Sequence, residues 1–250
     1  MSGHSKWATI KHKKGALDAK RGKLFTKLIK ELTVAARMGG GDPGGNPRLR
    51  KAISDAKGQS MPNDTINRAV KRGTGELEGA AYEEIVYEGS GPAGTLFLVE
   101  SMTDNRNRTV AEIRKIFEKN NGVMGSAGAA AWAFDRKGII VLGKEVTEDQ
   151  LMEIAVASGA DDYTDAGDEW HVTTPSDLLN VIVDALEKAS IKPKSSQLAS
   201  IPKIKKPLEG RDAQVALNLA EALDDHDDVQ NVFADFDVSD EVLASLEGAS

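Results

Sequence analysis

Apolar residues recur at helical spacing in three stretches near the start of the chain. The first predicted helix begins at Lys23 and ends at the glycines of residues 39–41. A second helix is predicted after the cap Asn46-Pro47, and a third follows Pro62 and ends at Gly73. Because each helix carries a small apolar face, the pattern predicts a compact three-helix domain. The apolar face of the first helix comprises Leu24, Phe25, Leu28, Ile29, Leu32 and Ala36.

The pattern changes near residue 80, where β-branched and aromatic residues become frequent. Two strands are predicted, Tyr82–Glu88 and Thr95–Ser101, joined by a turn over residues 89–94. This turn matches the G-x-G-x-x-G motif of dinucleotide-binding proteins, but a strand follows it where that motif requires a helix. It is therefore interpreted as a hairpin connection. A helix over 109–120 and a strand at Trp132–Phe134 complete this unit.

A second mixed unit begins at Gly138 and has the predicted element order β-α-β-β-α-β. This order matches a ferredoxin-like unit. Its helices are predicted after Thr147 and after Thr174-Pro175. Its strands are predicted at Ile139–Leu142, on both sides of residues 165–168, and near Ile201–Lys205.

The last predicted elements are a helix at 211–223 and a strand at Val229–Phe236, which the first mixed unit lacks. The sequence therefore predicts an α+β protein of three domains, in which an N-terminal helical domain precedes two α/β, ferredoxin-like domains. The last of these is predicted to be inserted into the middle one. The predicted boundaries are 1–78 for a basic arm plus the three-helix domain, 79–136 with 207–250 for the discontinuous middle domain, and 137–206 for the insertion.

Charge is distributed unevenly along the chain. The 250 residues hold 32 Lys+Arg and 39 Asp+Glu, for a formal net charge of −7. Residues 1–76 contain 17 of the bases and 6 of the acids, a balance of +11, so the remainder has 15 and 33, a balance of −18. Such an asymmetry predicts an anionic partner for the N-terminal part, with a solvated lysine-rich surface as the alternative.

Residues 1–22 show no helical or strand period and are predicted to form an arm that orders on a partner. Lysines neutralise phosphates, and an exposed tryptophan can stack on an unpaired base. The candidate nucleic-acid-binding residues of the arm and the first helix are Lys6, Trp7, Lys11, Lys13, Lys14, Lys20, Arg21, Lys23, Lys27 and Lys30.

The polar loop of residues 103–109 links a predicted strand to a predicted helix. Arg106 and Arg108 are further candidates for binding nucleic acid, because guanidinium groups suit phosphates and helix N-termini attract anions. The alternative is a structural cap, in which Asp104 or Asn107 caps the helix and the arginines pair with acids.

Catalytic chemistry finds little support in the sequence. The absence of cysteine excludes disulfides and thiolate metal sites, and no G-x-S-x-G, H-E-x-x-H or Walker loop occurs. The acidic turn of residues 224–228 lacks the spacing of a calcium loop. We therefore expect no enzyme activity, catalytic residue, metal, cofactor or small-molecule substrate. A run of about 18 apolar residues is also missing, so the expectation is a cytoplasmic monomer with no membrane partner.

The acids form groups of their own. Residues 221–247 contain ten Asp/Glu and no Lys/Arg. This pattern is typical of a solubilising face. The alternatives are a docking surface for a basic protein or a repulsive wall that confines nucleic acid to the N-terminal domain.

Several separated motifs of this chain resemble the YebC/PmpR family, and together they cover essentially its whole length. The motifs that carry the resemblance are Gly3-His4-Ser5-Lys6-Trp7, Lys20-Arg21-Gly22-Lys23, Met61–Ile66, Arg72-Gly73, Tyr82–Gly89 and Thr103–Thr109.

The resemblance implies the same three-domain arrangement and a non-enzymatic regulator of gene expression. Members of that family are commonly labelled probable transcriptional regulators that bind DNA. A mitochondrial relative resembles a translational activator of cytochrome c oxidase, and bacterial relatives are linked to ribosomes that stall on proline runs. The expected function is therefore a DNA-binding transcriptional regulator. The alternative is a ribosome-associated translation factor that binds ribosomal RNA. The residues show no clear helix-turn-helix and lean slightly toward RNA, but lysines alone do not distinguish the two polymers.

Overall fold

The computed structural model of the chain describes the backbone of residues 17–239 and 241–243 and, from residue 22 onward, their side chains. The helices are α1 (Leu17–Gly39), α2 (Pro47–Gly58), α3 (Asn63–Thr74), α4 (Arg106–Lys119), α5 (Glu148–Gln150, continued by a π-helix at Leu151–Val156), α6 (Leu179–Lys188) and α7 (Gly210–Asp224). The strands are β1 (Glu83–Ser90), β2 (Leu96–Thr103), β3 (Val123–Met124), β4 (Phe134–Gly143), β5 (Asp162–Asp165), β6 (Glu169–Pro175), β7 (Ser195–Pro202), β8 (Lys206–Pro207), β9 (Val229–Ala234) and β10 (Phe236–Asp237).

The first helix starts earlier than the sequence pattern predicts. Helix α1 begins at Leu17 rather than at Lys23, so residues 17–22 of the predicted arm are helical. The stretch is rich in leucine, alanine, lysine and arginine, which are strong helix formers. They outweigh Gly22, whose cost in a helix is about 1 kcal/mol relative to alanine.

Small residues let the three N-terminal helices pack closely. Asn46 caps α2 by accepting a hydrogen bond from the Leu49 backbone N–H at 3.0 Å, and its amide donates to the Ala35 carbonyl at 2.8 Å. A β-carbon added at Gly73 would lie 2.3 Å from the Thr33 carbonyl oxygen, so α3 approaches α1 in backbone contact. The buried core of this layer consists of Leu32, Ala35, Ala36, Leu49, Ala52, Ala56, Met61, Ile66 and Ala69.

The middle sheet has the strand order β3-β1-β2-β9, and all its neighbours are antiparallel. The chain therefore leaves this sheet after β3 and returns to it at β9, beside β2. Helices α4 and α7 cover one face of the sheet. Phe97 and Phe117 meet edge to face there, with ring centroids 6.0 Å apart, in the core that α7 closes. The predicted hairpin connection is confirmed, because β1 and β2 pair directly across residues 91–95.

The intervening sheet has the order β5-β6-β4-β7, again antiparallel. Its elements follow one another as strand, helix, two strands, helix and strand, which is the predicted ferredoxin-like order. Helices α5 and α6 bury Leu151, Ile182 and Leu186 against the sheet. The predicted α+β class, with N-terminal helices followed by antiparallel sheets, is confirmed.

One strand occupies the place of two predicted ones. The strands predicted at Trp132–Phe134 and Ile139–Leu142 are replaced by a 3-10 turn at Ala131–Ala133 and the single strand β4. Gly138 does not break this strand, because it pairs with Thr174 of β6 on one side and with Leu198 of β7 on the other. β4 therefore runs across the predicted boundary between residues 136 and 137, and the domain limits stay a prediction.

Among the residues that the structure describes, none of the helices combines the length and the apolar composition needed to cross a membrane.

Candidate nucleic-acid interface

The structure places the predicted contact residues in very different settings. Lys20 and Arg21 lie near the start of α1, in the part of the helix whose side chains are not described. Lys6, Trp7, Lys11, Lys13 and Lys14 lie outside the described residues.

The three lysines predicted on α1 face the acidic turn that follows α7. Lys23, Lys27 and Lys30 are three and four residues apart, so they lie along one side of the helix. The Lys23 Nζ atom lies 3.2 Å from Asp225, and the Lys27 Nζ atom lies 3.2 Å from Asp224. A phosphate that bound either lysine in this arrangement would compete with a carboxylate of the same chain. The role of these lysines in binding nucleic acid stays a prediction.

Lys30 is the innermost of the three lysines and is buried. Its Nζ atom lies 2.5 Å from Asp228 Oδ1, and the two side chains are 7% and 5% exposed. The same ammonium group donates to the carbonyls of Asp227 at 2.9 Å and Met102 at 3.2 Å. Its three donors are therefore satisfied by groups of the β2 end and the acidic turn. This geometry joins α1 to the middle sheet.

Asp228 is the centre of this junction. Its Oδ2 atom accepts hydrogen bonds from Thr109 Oγ1 at 2.6 Å and from Arg108 Nη2 at 2.8 Å. Burial acts to raise the pKa of the Asp228 carboxyl, but the hydrogen bonds from Lys30, Thr109 and Arg108 outweigh it and hold the pKa far below its usual range. The carboxylate is therefore charged whenever the domains are joined in this way.

The polar loop before α4 divides into a structural part and an exposed part. Asn105, rather than Asp104 or Asn107, caps the helix, because its side chain accepts from the Arg108 backbone N–H at 3.1 Å. The Arg108 guanidinium bonds Asp228, and it also bonds Asp104 at 3.0 Å, which raises the pKa of Arg108 further. Arg106 is exposed, and among the described residues it forms no ion pair. Of the two predicted arginines, Arg108 is held by carboxylates and Arg106 is not, and their role in binding nucleic acid stays a prediction.

A large cleft lies between α1, α2, the uncovered face of the middle sheet and the β7 edge of the other sheet. Its volume is about 980 Å³. Each of its basic side chains is paired with an acid of the same cleft: Lys23 with Asp225, Lys27 with Asp224, Arg48 with Glu31 and Glu84, Lys51 with Asp55, and Arg136 with Glu100. The positive charges of the cleft are therefore balanced by its own acids, so the cleft is unsuited to binding a polyanion.

The outer face of α3 carries three exposed bases, and one of them has an acidic neighbour. Arg68, Lys71 and Arg72 are all exposed, and the Arg68 guanidinium is 3.9 Å from Asp64 with its side chain 64% exposed. Lys71 and Arg72 form no ion pair within the part of the chain that the structure describes. The sequence does contain their signal, because beyond its first turn α3 carries three bases and no acid. The three bases were nevertheless absent from the predicted contact set.

The charges of Arg72 on α3 and of Asp104 before α4 both act on the Tyr82 hydroxyl. Burial chiefly raises the pKa of Tyr82, Asp104 also raises it, and Arg72 opposes the rise. The exposed bases of α3 and Arg106 together define the candidate interface: Arg68, Lys71, Arg72 and Arg106.

The described residues were also compared with the side-chain clusters that bind metal ions. Within residues 17–239 and 241–243, no group of three or more His, Asp or Glu side chains is close enough together to hold a metal ion.

Two family models match the chain. Residues 5–76 match the TACO1/YebC protein N-terminal domain, and residues 82–236 match the TACO1/YebC second and third domain. The chain belongs to the TACO1/YebC family. The resemblance that the sequence motifs carry is thereby confirmed.

The chain is similar to curated proteins of about the same length. A protein of Geobacter sulfurreducens is 56% identical over 246 residues, which are 98% of this chain and 100% of the relative. One of Acidithiobacillus ferrooxidans is 53% identical over 251 residues, which cover all of both chains. Each carries the name "Probable transcriptional regulatory protein". The crystal structure of a conserved hypothetical protein from Aquifex aeolicus is similar, with a TM-score of 0.86 and 43% identity over 96% of this chain and 99% of that one.

Proposed function

We propose that this TACO1/YebC family member is a non-enzymatic regulator of gene expression that binds DNA and regulates transcription. The observation that carries the proposal is a set of three exposed bases on α3. Arg68 forms only a long, exposed pair with Asp64 at 3.9 Å, and Lys71 and Arg72 form no ion pair among the described residues. They add to the excess of bases in residues 1–76, and the names of the relatives point to transcription.

The length of the connection before α3 and the exposed side chains of α3 support contact with a duplex. Four residues, 59–62, join α2 to α3, which is about the length of the turn in helix-turn-helix proteins, where the second helix enters the major groove. Asn67 and Arg68 are exposed on α3, and an amide and a guanidinium suit adenine and guanine edges respectively. Lys71 and Arg72 then supply charge for the phosphates. α3 is therefore the proposed reading element.

Charge reversal on α3 tests this proposal. The variant R68E/K71E/R72E should weaken binding to promoter-derived duplex DNA by at least about tenfold, and it should reduce the slope of log affinity against log salt by about 3. The matched control R114E/K115E/K119E makes the same change in net charge on α4, where all three residues are exposed. The control should retain most of the affinity. Equal affinity and salt slope for the α3 variant and the unchanged protein would refute the proposed role of α3.

A ribosome-associated role in translation is the second candidate, and the position of Arg106 favours it. This exposed arginine belongs to α4 rather than to the N-terminal helices, so the unneutralised bases span two layers of the fold. Such a spread suits an irregular RNA surface better than a single groove. Co-sedimentation with ribosomes at about 50 and 200 mM salt would detect it. Loss of sedimentation in the variant R106E, with duplex binding unchanged, would favour the ribosome over the promoter.

The proposal also covers the cellular location, the oligomeric state and the domain limits of the protein. We place the protein in the cytoplasm as a monomer, and we assign residues 1–78, 79–136 with 207–250, and 137–206 to its three domains. Size-exclusion chromatography with light scattering would test the monomer.

A further inference from the structure

The loop before β4 is held rigidly by a buried carboxylate. The Glu88 side chain of β1 is 7% exposed and accepts three backbone hydrogen bonds from this loop, from Gly128 at 2.8 Å, Ala130 at 2.6 Å and Ala131 at 2.8 Å. Burial acts to raise the pKa of Glu88, but the three N–H donors outweigh it and lower the pKa. The carboxylate therefore stays ionised and fixes the loop backbone.

The loop buries several of its apolar residues but exposes its largest. Ala130, Ala133 and Phe134 are 0–8% exposed, whereas the Trp132 side chain between them is 68% exposed. The Trp132 indole N–H donates to the Ala129 carbonyl at 3.2 Å. The indole thus has a hydrogen-bond partner within its own loop, and most of its surface faces solvent. The fixed loop therefore presents a positioned aromatic ring to solvent.

One lysine contacts Trp132 directly. Lys203 donates from Nζ to the Trp132 carbonyl at 2.9 Å, and the Lys203 backbone N–H donates to the Ala133 carbonyl at 2.9 Å. The Lys203 ammonium also forms an ion pair with Asp135 at 3.6 Å, in which the two side chains are 49% and 55% exposed. Exposed pairs of this kind contribute little energy, so a phosphate can compete for the lysine.

We propose that Trp132 is a stacking platform for an unpaired base of single-stranded nucleic acid, with Lys203 beside it as a contact for an adjoining phosphate. The proposal rests on the proposed function, because it presumes that the protein binds nucleic acid. It adds a second site, at the join of the two sheets. Aromatic rings stack on bases with little sequence preference, and nearby cations hold the backbone. An apolar protein surface would also cover Trp132, but it would bury the exposed Lys203–Asp135 pair beside the ring, and burying an ion pair is costly.

Tryptophan fluorescence tests the platform directly. The chain contains three tryptophans, Trp7, Trp132 and Trp170, so the variant W7F/W170F reports on Trp132 alone. Titration with a ten-nucleotide oligouridylate should quench this emission and saturate. Unchanged emission at an oligonucleotide concentration that saturates binding by anisotropy would overturn the proposal and would leave the patch as a contact for an apolar protein surface.

Affinity measurements on the otherwise unchanged chain keep the test independent of that variant's folding. W132L retains an apolar side chain but has no ring, and it should weaken oligouridylate binding by about fivefold or more, whereas W132F should recover part of the loss. Equal affinities for W132L and W132F would also overturn the proposal. The α3 variant R68E/K71E/R72E separates the two ideas. If it loses duplex binding while W132L and W132F behave alike, the proposed function stands and the platform fails. If the unchanged protein binds neither polymer, both fail.

Discussion

Replacing Asp228 by asparagine should lower the free energy of unfolding by about 3 kcal/mol at neutral pH, because it leaves the Lys30 ammonium buried without a counter-charge. The magnitude follows from the burial of the pair, whose side chains are 7% and 5% exposed. Removing one partner of a buried ion pair costs about 3–5 kcal/mol. The lower end applies here, since the carbonyls of Met102 and Asp227 still accept hydrogen bonds from Lys30.

Urea unfolding followed by circular dichroism at 222 nm measures this loss, and two further variants control it. D227N removes an equal charge from an exposed neighbour and should change the free energy of unfolding by less than about 0.5 kcal/mol. K30M/D228N removes both members of the pair and should be more stable than D228N, because no buried lysine is left uncompensated. If K30M/D228N is less stable than D228N, the buried lysine is not the cause of the loss and the reasoning is wrong.

The effect of D228N should also depend on pH in a defined direction. The folded protein lowers the pKa of Asp228 below the value of about 3.9 expected in the unfolded chain. The contribution of Asp228 is therefore fully present above the unfolded pKa and is lost as the pH falls from about 4 toward the folded pKa. The difference between the unchanged protein and D228N should accordingly shrink below pH 4. A difference that is the same at pH 7 and pH 3 would contradict the assignment of the charge to Asp228.

Two further substitutions test the packing of the fold. G73A places a β-carbon 2.3 Å from the Thr33 carbonyl oxygen and should destabilise the helical domain by about 1–3 kcal/mol in thermal or urea unfolding, whereas G58A, where a β-carbon meets nothing within 4 Å, should be neutral or slightly stabilising. E88Q removes one carboxylate oxygen from the three N–H donors of residues 128–131 and should cost about 1–3 kcal/mol at pH 7. Because the pKa of Glu88 is lowered on folding, that cost should decline as the pH falls below about 4.3.

Periodicity predicts much of this fold, because it reports which face of each element is buried. The spacing of Leu32 and Ala36 predicts that they lie inside the helical domain, and both are at most 1% exposed. The same reasoning did not predict the single strand β4. Gly138 resembles a breaker when the chain is read locally, but it pairs with strands on both sides, and a β-carbon there would lie 2.9 Å from the Leu179 side chain. Tertiary contact decides that position.

The interface could be predicted only in part, because a charge pattern does not say which charges meet. Lys30 and Asp228 are 198 residues apart in the chain, and nothing local to α1 distinguishes Lys30, which is buried against Asp228, from an exposed base such as Lys71. Arg106 and Arg108 stand two residues apart, yet only Arg108 is bound by carboxylates. Composition thus indicates the sign of a partner's charge, whereas the residues that remain available to it depend on the packing of the domains.

Part of the charge asymmetry of the chain is used in contacts between its own N-terminal helix and the acidic turn. The excess of +11 in residues 1–76 and the acids of residues 224–228 attract each other, and the ion pairs of Lys23, Lys27 and Lys30 join the two regions. These pairs differ in exposure, from 42% for the Lys23 side chain to 7% for Lys30. Salt screens exposed pairs strongly and buried pairs weakly. Rising salt should therefore loosen the outer contacts of α1 while the Lys30 contact holds. A salt titration of nucleic-acid binding thus measures phosphate contacts and these outer contacts together, unless D224N/D225N, which lacks the acids of the two outer pairs, is titrated beside it.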